Sequence, residues 1–157
     1  MRDLDRRILL QLLKDSKQPV VEIAKKLGVT RQTVAKKIEL FRGDGTIDAF
    51  TTRLDPEKFG FAIKAYILLR EDPLAELRTK NEKMIKQFPN VTEFYRLFGR
   101  YSAVMELLVK DEKELTRLVK RIHRLKGVRE TETLIVHSTI KNVPESPFVQ
   151  LLSSTQK

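Results

Sequence analysis

The sequence predicts an α+β protein in which an N-terminal helix-turn-helix precedes a C-terminal ferredoxin-like βαββαβ unit. Residues 1–47 carry apolar side chains at helical spacing, with short breaks between the helical stretches. Residues 61–143 instead alternate between strand-like and helix-like stretches in the order β-α-β-β-α-β. We therefore predict two domains joined by a strand and linker at 48–60 and followed by a tail at 144–157.

Three helices are predicted in the first domain. The first has four apolar residues at core spacing, namely Ile8, Leu9, Leu12 and Leu13. Pro19 suits the first turn of the second helix, and Gly28 can end that helix in the left-handed conformation. Thr30 is placed to cap a third helix that runs from Arg31 to about Arg42. The β-branched stretch Thr46–Leu54 is then predicted to be a strand.

The second domain is predicted to contain four strands and two helices. The strands are rich in aliphatic and β-branched residues, and the helices carry apolar residues three and four positions apart. The predicted strands span 61–70, 91–98, 102–110 and 128–141, and the predicted helices span 73–88 and 111–126. Asp111 is placed to cap the second of these helices. Beyond this domain, the end of the tail at Ser153–Lys157 is expected to fray.

The composition favours a binding partner of negative charge. The formal net charge is +10 and the excess is spread over both halves of the chain, which favours nucleic acid as a partner. The absence of cysteine excludes disulfides and thiolate metal sites. No stretch approaches the roughly 20 apolar residues of a membrane span, and the charged N-terminus lacks the features of a signal peptide. We therefore expect a cytoplasmic protein with no membrane partner.

The sequence offers no convincing catalytic or metal site. His123 and His137 have no acidic or histidine partner at metal-ligand spacing, and Ser102 has no nearby base that could activate it. Glu130 and Glu132 lie two apart on a predicted strand and so share one face, which we expect to be solvated. The protein is therefore predicted not to be an enzyme and to need neither metal nor cofactor.

The third predicted helix has an apolar face opposite a polar one. Val34, Ile38 and Phe41 share the apolar face, whereas Gln32 and Lys36 lie one turn apart at the centre of the other face. A major groove about 12 Å wide admits one helix, where Gln can bind adenine and Lys can donate to guanine. Gln32 and Lys36 are therefore our predicted base contacts in double-stranded DNA.

Side chains around this pair are predicted to contact phosphates and set the position of the helix in the groove. They are cations or hydroxyls at the margins of the two helices: Lys25, Lys26, Thr30, Arg31, Lys37 and Arg42. Thr33 flanks the central pair and completes the predicted DNA-binding set. Loss of Lys37 is predicted to weaken binding to all DNA about equally and to lower the salt slope by about one. A solvated basic face is the alternative explanation of the same pattern.

Several short motifs, in order, resemble the Lrp/AsnC family of transcription regulators. In the first half these are Asp5-Arg-Arg-Ile-Leu, Glu22-Ile-Ala-Lys-Lys-Leu-Gly-Val-Thr, Gly45-Thr-Ile and Asp55-Pro-Glu-Lys-Phe-Gly60. In the second half, Val91-Thr-Glu-Phe-Tyr-Arg-Leu-Phe-Gly99 and Gly127-Val-Arg-Glu-Thr-Glu-Thr133 resemble the family's effector domain, called RAM. The resemblance covers nearly the whole chain.

The resemblance implies a winged helix-turn-helix joined to a RAM domain that binds effectors and drives assembly. It implies homodimers whose RAM sheets pack together and assemble into octamers, with DNA binding near promoters. It also implies amino acids or related small molecules as effectors. The implied effector residues are Gly99, Arg100, Tyr101 and Ser102 in one loop, with Thr131 and Thr133.

The implied effector loop departs from the family at one position. The family commonly has Gly-x-aromatic-Asp, whereas this chain has Gly99-Arg100-Tyr101-Ser102. A carboxylate would pair with the ammonium group of an amino acid, and a neutral hydroxyl forms a weaker hydrogen bond. Our hypothesis is that the effector is not an ordinary α-amino acid and is more anionic, or that no effector binds.

Two other functions remain open at this point. An architectural, chromatin-like protein could coat DNA through its excess charge, with a C-terminal module that serves dimerisation alone. A small-molecule enzyme on the ferredoxin-like half is disfavoured because no acid–base pair or metal site supports it. We therefore favour a sequence-specific transcription regulator.

Overall fold

The computed structural model describes residues 1–154 and divides the chain into two compact units. The first unit combines Met1–Arg53 with the chain from Lys141 onward, and the second is Leu54–Ile140. The boundary between the two units falls between Arg53 and Leu54. The tail, in contrast, belongs to the first unit and not to a separate segment. None of the helices within residues 1–154 has the length and apolar character needed to cross a membrane.

The three N-terminal helices form where the sequence predicts them. They are α1 (Asp3–Lys14), α2 (Val20–Leu27) and α3 (Arg31–Gly43). Gly28 ends α2 with φ of 69°, in the left-handed region where a glycine carries no side-chain penalty. Thr30 caps α3, because its Oγ1 accepts a hydrogen bond of 3.2 Å from the backbone N–H of Thr33. These two features set the turn between α2 and α3.

A C-terminal helix, α6 (Ser146–Ser153), completes the first unit and was not predicted. Leu152 is only 8% exposed and joins the core built by α1, α2 and α3. Arg6 on α1 donates from Nη2 to the carbonyl oxygens of Leu152 and Ser154, at 3.0 and 3.1 Å. These bonds satisfy carbonyls at the end of α6. The predicted tail is thus folded through Ser153, while Thr155–Lys157, where fraying was expected, lie outside the described residues.

The strand predicted at Thr46–Leu54 does not form. Its residues are exposed apart from the half-buried Ile47, and no backbone hydrogen bond pairs Asp48–Leu54 with another segment of the described chain. The β-branched composition was a correct observation, but a strand also needs a neighbouring strand to bond with. Within residues 1–154 of one chain, this segment has none.

The second unit has the predicted βαββαβ order. Its elements are listed here in chain order: β1 (Ile63–Glu71), α4 (Ala75–Ile85), β2 (Val91–Arg96), β3 (Ala103–Val109), α5 (Glu112–His123) and β4 (Val128–Ile135). The strands are antiparallel to their neighbours and lie in the order β2-β3-β1-β4, which is the ferredoxin-like arrangement. The predicted fold class is confirmed.

The two helices of the second unit cover one face of the sheet. Alternate residues of β1 and β3 point towards them and are buried, as period-two alternation requires. The fully buried members of these two strands are Ala65, Ile67, Leu69, Ala103, Met105, Leu107 and Val109. Ile85 of α4 and Ile122 of α5 complete this core at 0% exposure. The other face of the sheet carries no helix of this unit, so its side chains stay partly exposed.

Candidate functional site

Helix α3 presents the predicted base-contacting pair away from its own domain. Val34 is fully buried and Phe41 is 6% exposed, so they anchor the inner face of α3 in the core. Gln32 and Lys36 are both exposed on the opposite side. The cap at Thr30 also uses its hydroxyl in a 2.8 Å contact with the hydroxyl of Thr33. The two threonines therefore fix the start of the helix on which Gln32 stands.

The side chains predicted to contact phosphates differ in their exposure and in the partners they already have within the chain. Lys25, Arg31 and Arg42 are exposed on α2 and α3, and Lys26 is exposed while its Nζ donates to Gln18 Oε1 at 3.0 Å. Such surface hydrogen bonds exchange readily with water, so they leave a lysine able to move to a phosphate. The outer surface of α2 and α3 is therefore cationic around Gln32 and Lys36.

Lys37 has a partner inside its own domain. Its Nζ lies 2.7 Å from Asp5 Oδ1 on α1, and the two side chains are only 21% and 13% exposed. The Asp5 Oδ1 atom is itself shielded from solvent, so the Lys37 ammonium compensates a buried negative charge. This pair ties α3 to α1. Lys37 is therefore less exposed than the other cations of α2 and α3 and is already paired. Its contact with a DNA phosphate stays a prediction.

The hydroxyl of Ser102 is already engaged in the sheet. Ser102 Oγ donates to the carbonyl oxygen of Leu69 at 3.1 Å and accepts from the N–H of Glu71 at 3.1 Å. The backbone N–H of Ser102 also donates to Leu69 O at 2.8 Å. Ser102 therefore joins the end of β1 to the start of β3, and its hydroxyl has no proton left to offer a ligand.

A buried carboxylate lies beside Ser102, and sequence analysis missed it. Glu71 is 6% exposed, and its Oε2 atom is 3.5 Å from Ser102 Oγ. Arg96 on β2 forms an ion pair with Glu71 and places Nη2 2.8 Å from Glu82 Oε1. Asn81 donates to Glu71 Oε1 at 3.1 Å. The signal was present in the alternation of β1, because position 71 continues the inward series of residues 65, 67 and 69.

The loop at Gly99–Ser102 contacts β4 through two glutamates and not through the implied threonines. Tyr101 donates its phenol proton to Glu132, which raises the pKa of Tyr101 above its ordinary value. Arg100 lies 3.6 Å from Glu130, which also pairs with Arg70 at 3.3 Å. Within one chain, the loop therefore lies against a carboxylate-bearing edge.

The two threonines of β4 lie on the helix-covered side of the sheet. Thr131 is the neighbour of Leu69 and Thr133 is the neighbour of Ile67, so both share the face of those buried residues. Thr131 Oγ1 is 3.3 Å from Nδ1 of His123 at the end of α5. The structure thus separates Thr131 and Thr133 from Arg100 and Tyr101, which contact the opposite face of the same strand. The effector role of all six residues stays a prediction.

Comparison with known families matches both units. The AsnC-type helix-turn-helix domain matches residues 1–39, and the Lrp/AsnC ligand binding domain matches residues 64–145. The match to the ligand binding domain ends just before α6. The two matches together span most of the chain and follow the division into two units.

Similar proteins are helix-turn-helix regulators. The HTH-type transcriptional regulator FL11 of Pyrococcus horikoshii is 31% identical over 146 residues, covering 93% of this chain and 95% of that protein. FL11 of Pyrococcus furiosus is 32% identical over 145 residues, covering 92% and 95%.

Solved structures share the fold. An AsnC family transcriptional regulator from Agrobacterium tumefaciens has a TM-score of 0.84 at 27% identity, covering 92% of this chain and 95% of its own. A Neisseria meningitidis transcriptional regulator solved as a complex with L-Met has a TM-score of 0.89, covering 96% and 99%. At 17% identity, the second likeness shows the fold alone.

Proposed function

Because this chain belongs to the Lrp/AsnC family of DNA-binding transcription regulators, we propose that it recognises specific operator sequences through Gln32 and Lys36. One observation carries the proposal: α3 buries Val34 and Phe41 while it exposes Gln32 and Lys36 on the opposite side. A side chain that reads bases must project from a helix whose own position is fixed. The buried anchors and the cap at Thr30 supply that fixed position.

The proposed contacts divide into base contacts and phosphate contacts. Gln32 pairs its amide with an adenine, and Lys36 donates to a guanine one helical turn away. Lys25, Lys26, Arg31 and Arg42 neutralise phosphates around them and so set the register of α3 in the groove. Lys37 contributes less than these, because its ammonium group already compensates Asp5 at 2.7 Å.

We further propose that the functional unit is a homodimer. The face of the sheet without helices leaves Leu134 and Tyr95 exposed at 47% and 54%. The segment Asp48–Leu54 makes no backbone hydrogen bond to another segment of the described chain. In a homodimer, the partner chain covers this sheet face, and the two copies of Asp48–Leu54 pair with each other as antiparallel strands. Two α3 helices related by a two-fold axis would then reach successive major grooves about 34 Å apart. Assembly to an octamer and the cytoplasmic location stay predictions.

The second unit is the ligand-binding domain of the family, and we propose that its effector is not an ordinary α-amino acid. The hydroxyl of Ser102 is bonded to Leu69 and Glu71, and the neighbouring carboxylate of Glu71 is paired with Arg96. No free carboxylate therefore stands at Ser102 to receive an ammonium group. Calorimetry with the twenty amino acids tests this, and micromolar binding of any of them would contradict it.

Selection of bound sites from random DNA tests the regulator proposal. The wild-type protein is expected to select a near-palindromic site, whereas Gln32→Ala should bind that site about 1–3 kcal/mol more weakly and lose preference at one base position per half-site. Gln87→Ala removes an exposed glutamine from the second unit and serves as the matched control. Uniform coverage of genomic fragments in footprinting would favour an architectural protein. An unchanged preference in Gln32→Ala would show that α3 docks differently.

A further inference from the structure

The open face of the sheet carries a charged cluster in its middle. Along this face Leu68, Val104 and Leu108 are half-buried although no helix of this unit lies over them. Lys64 and Glu106 stand among these apolar side chains, with Nζ and Oε2 only 2.6 Å apart. A charged pair in apolar surroundings is costly to cover, because both charges lose water when a partner binds. Apolar residues at the same positions would be covered at a lower desolvation cost.

The Glu106 carboxylate of this cluster accepts hydrogen bonds from two neighbouring strands. Tyr66 donates its phenol proton to Glu106 Oε2 at 2.8 Å, and Thr92 donates to Glu106 Oε1 at 2.9 Å. The Lys64 ammonium also lies 5.8 Å from the centre of the Tyr66 ring. We call Lys64, Tyr66, Thr92 and Glu106 the central cluster. The Glu106 side chain is already only 13% exposed in the isolated chain, so a covering partner would remove its remaining water.

The central cluster lies where a symmetric contact would have its centre. The sheet order is β2-β3-β1-β4, so β3 and β1 are the two inner strands. Tyr66 and Glu106 are directly paired on these strands, each near the middle of its own strand. When identical faces meet about a two-fold axis that passes near their centre, the centre of one face lies against the centre of the other.

We propose that the central cluster makes this face selective for a second copy of the same chain. The inference rests on the proposed dimer and names the residues that choose its partner. Two copies can meet with Lys64 of one chain against Glu106 of the other, so both charges gain an opposite charge as water leaves. A related sheet face with like charges at these positions desolvates Lys64 and Glu106 and also repels them. A face with apolar side chains there desolvates the two charges and gives them no new partner.

Subunit mixing between the wild-type protein and a charge-swapped variant tests the proposal. In Lys64→Glu/Glu106→Lys the pair within the chain is kept but its direction is reversed. Each protein should form its own homodimer, while the mixed dimer places like charges together across the interface. Native mass spectrometry of mixed full-length proteins should therefore show the heterodimer about tenfold below its statistical proportion.

A second pair and a neutral variant separate the possible outcomes. Asp3→Arg/Arg7→Asp swaps an exposed i,i+4 pair of the first unit and is expected to mix with wild type statistically. The neutral variant Lys64→Met/Glu106→Gln, which stays informative if the swapped chain misfolds, should mix with wild type more readily than the swapped variant.

Three results would overturn the inference while leaving the dimer proposal intact. They are a statistical proportion of heterodimer, an excess of heterodimer, and equal exclusion of the neutral and swapped variants. A wild-type protein that stays monomeric at all concentrations would instead overturn the dimer proposal itself.

Discussion

The C-terminal helix α6 is expected to stabilise the first unit mainly by burying Leu152. Leu152 is 8% exposed in the core shared with α1, whereas its neighbour Leu151 is 70% exposed on the same helix. Truncating a buried leucine to alanine costs about 2–5 kcal/mol, depending on how far the site collapses. Because α6 is a short terminal helix that can move into the space, we expect Leu152→Ala to cost about 2 kcal/mol.

The distribution of tyrosines allows the two units to be followed separately. The chain has no tryptophan, and its three tyrosines, Tyr66, Tyr95 and Tyr101, all lie in the second unit. Tyrosine fluorescence therefore reports unfolding of the second unit, while far-ultraviolet circular dichroism also reports the helices of the first. In urea, Leu152→Ala should lower the midpoint of the dichroism transition of the first unit and leave the fluorescence midpoint unchanged.

Leu151→Ala is the matched control, because it removes the same atoms from an exposed position of the same helix. Its effect on the free energy of unfolding should be within about 0.5 kcal/mol of zero. If Leu152→Ala and Leu151→Ala have equal midpoints, burial of the Leu152 side chain does not stabilise the first unit. If the fluorescence midpoint falls together with the dichroism midpoint, the two units unfold together and the assignment to the first unit is incorrect.

Two further predictions concern charge. Arg31→Ala should lower the slope of log affinity against log salt concentration by about one. Lys37→Ala should lower this slope by less than Arg31→Ala does. It should also destabilise the first unit, because it leaves Asp5 unpaired. Equal slopes for both variants would refute the assigned role of the Lys37–Asp5 ion pair. Burial raises the pKa of Glu106, but hydrogen bonds from Lys64, Tyr66 and Thr92 lower it, and the net pKa lies below its ordinary value. Glu106 therefore stabilises the fold above its unfolded pKa of about 4.3, and this contribution is lost as pH falls through the folded pKa. Glu106→Gln should flatten that acid limb in urea unfolding at different pH values, and an unchanged pH dependence would contradict the cause assigned to the shift.

Local patterns predicted the elements whose determinants lie close together in sequence. Gly28 and Thr30 define the turn and cap between α2 and α3 through residues no more than three positions away. The spacing of Val34 and Phe41 on one helix likewise predicted that Gln32 and Lys36 lie on its solvent-exposed face. The aliphatic and β-branched content of β1 and β3 likewise predicted strands at these positions.

Features that depend on distant partners were missed or misjudged. Residues 146–153 form a helix against α1, where Leu152 and Arg6 are 146 positions apart in the chain. Thr46–Leu54 has strand composition but no strand to pair with among the described residues of one chain. Glu71 lies just beyond the strand predicted at 61–70, and only the fold brings Arg96 and Asn81 to it. Short-range patterns do not encode such pairings, because closure of a long loop is decided by the whole core.

The proposed effector loop at Gly99–Ser102 has two unusual features, namely Ser102 itself and the buried Glu71 beside it. Where the family commonly has a carboxylate, this chain has Ser102, and a carboxylate from another strand, Glu71, lies 3.5 Å from its hydroxyl. That carboxylate is paired with Arg96, which is tethered to the same chain and so acts at a high effective concentration. A free ammonium ligand would have to displace this guanidinium and also enter a site where Glu71 is 6% exposed. The loop's accessible charges are instead Arg100, whose side chain is 72% exposed, and the partly exposed Glu130 beside it. We therefore propose that a ligand acting at this loop engages its outer surface, which is a different chemistry from an ammonium group bound at Ser102.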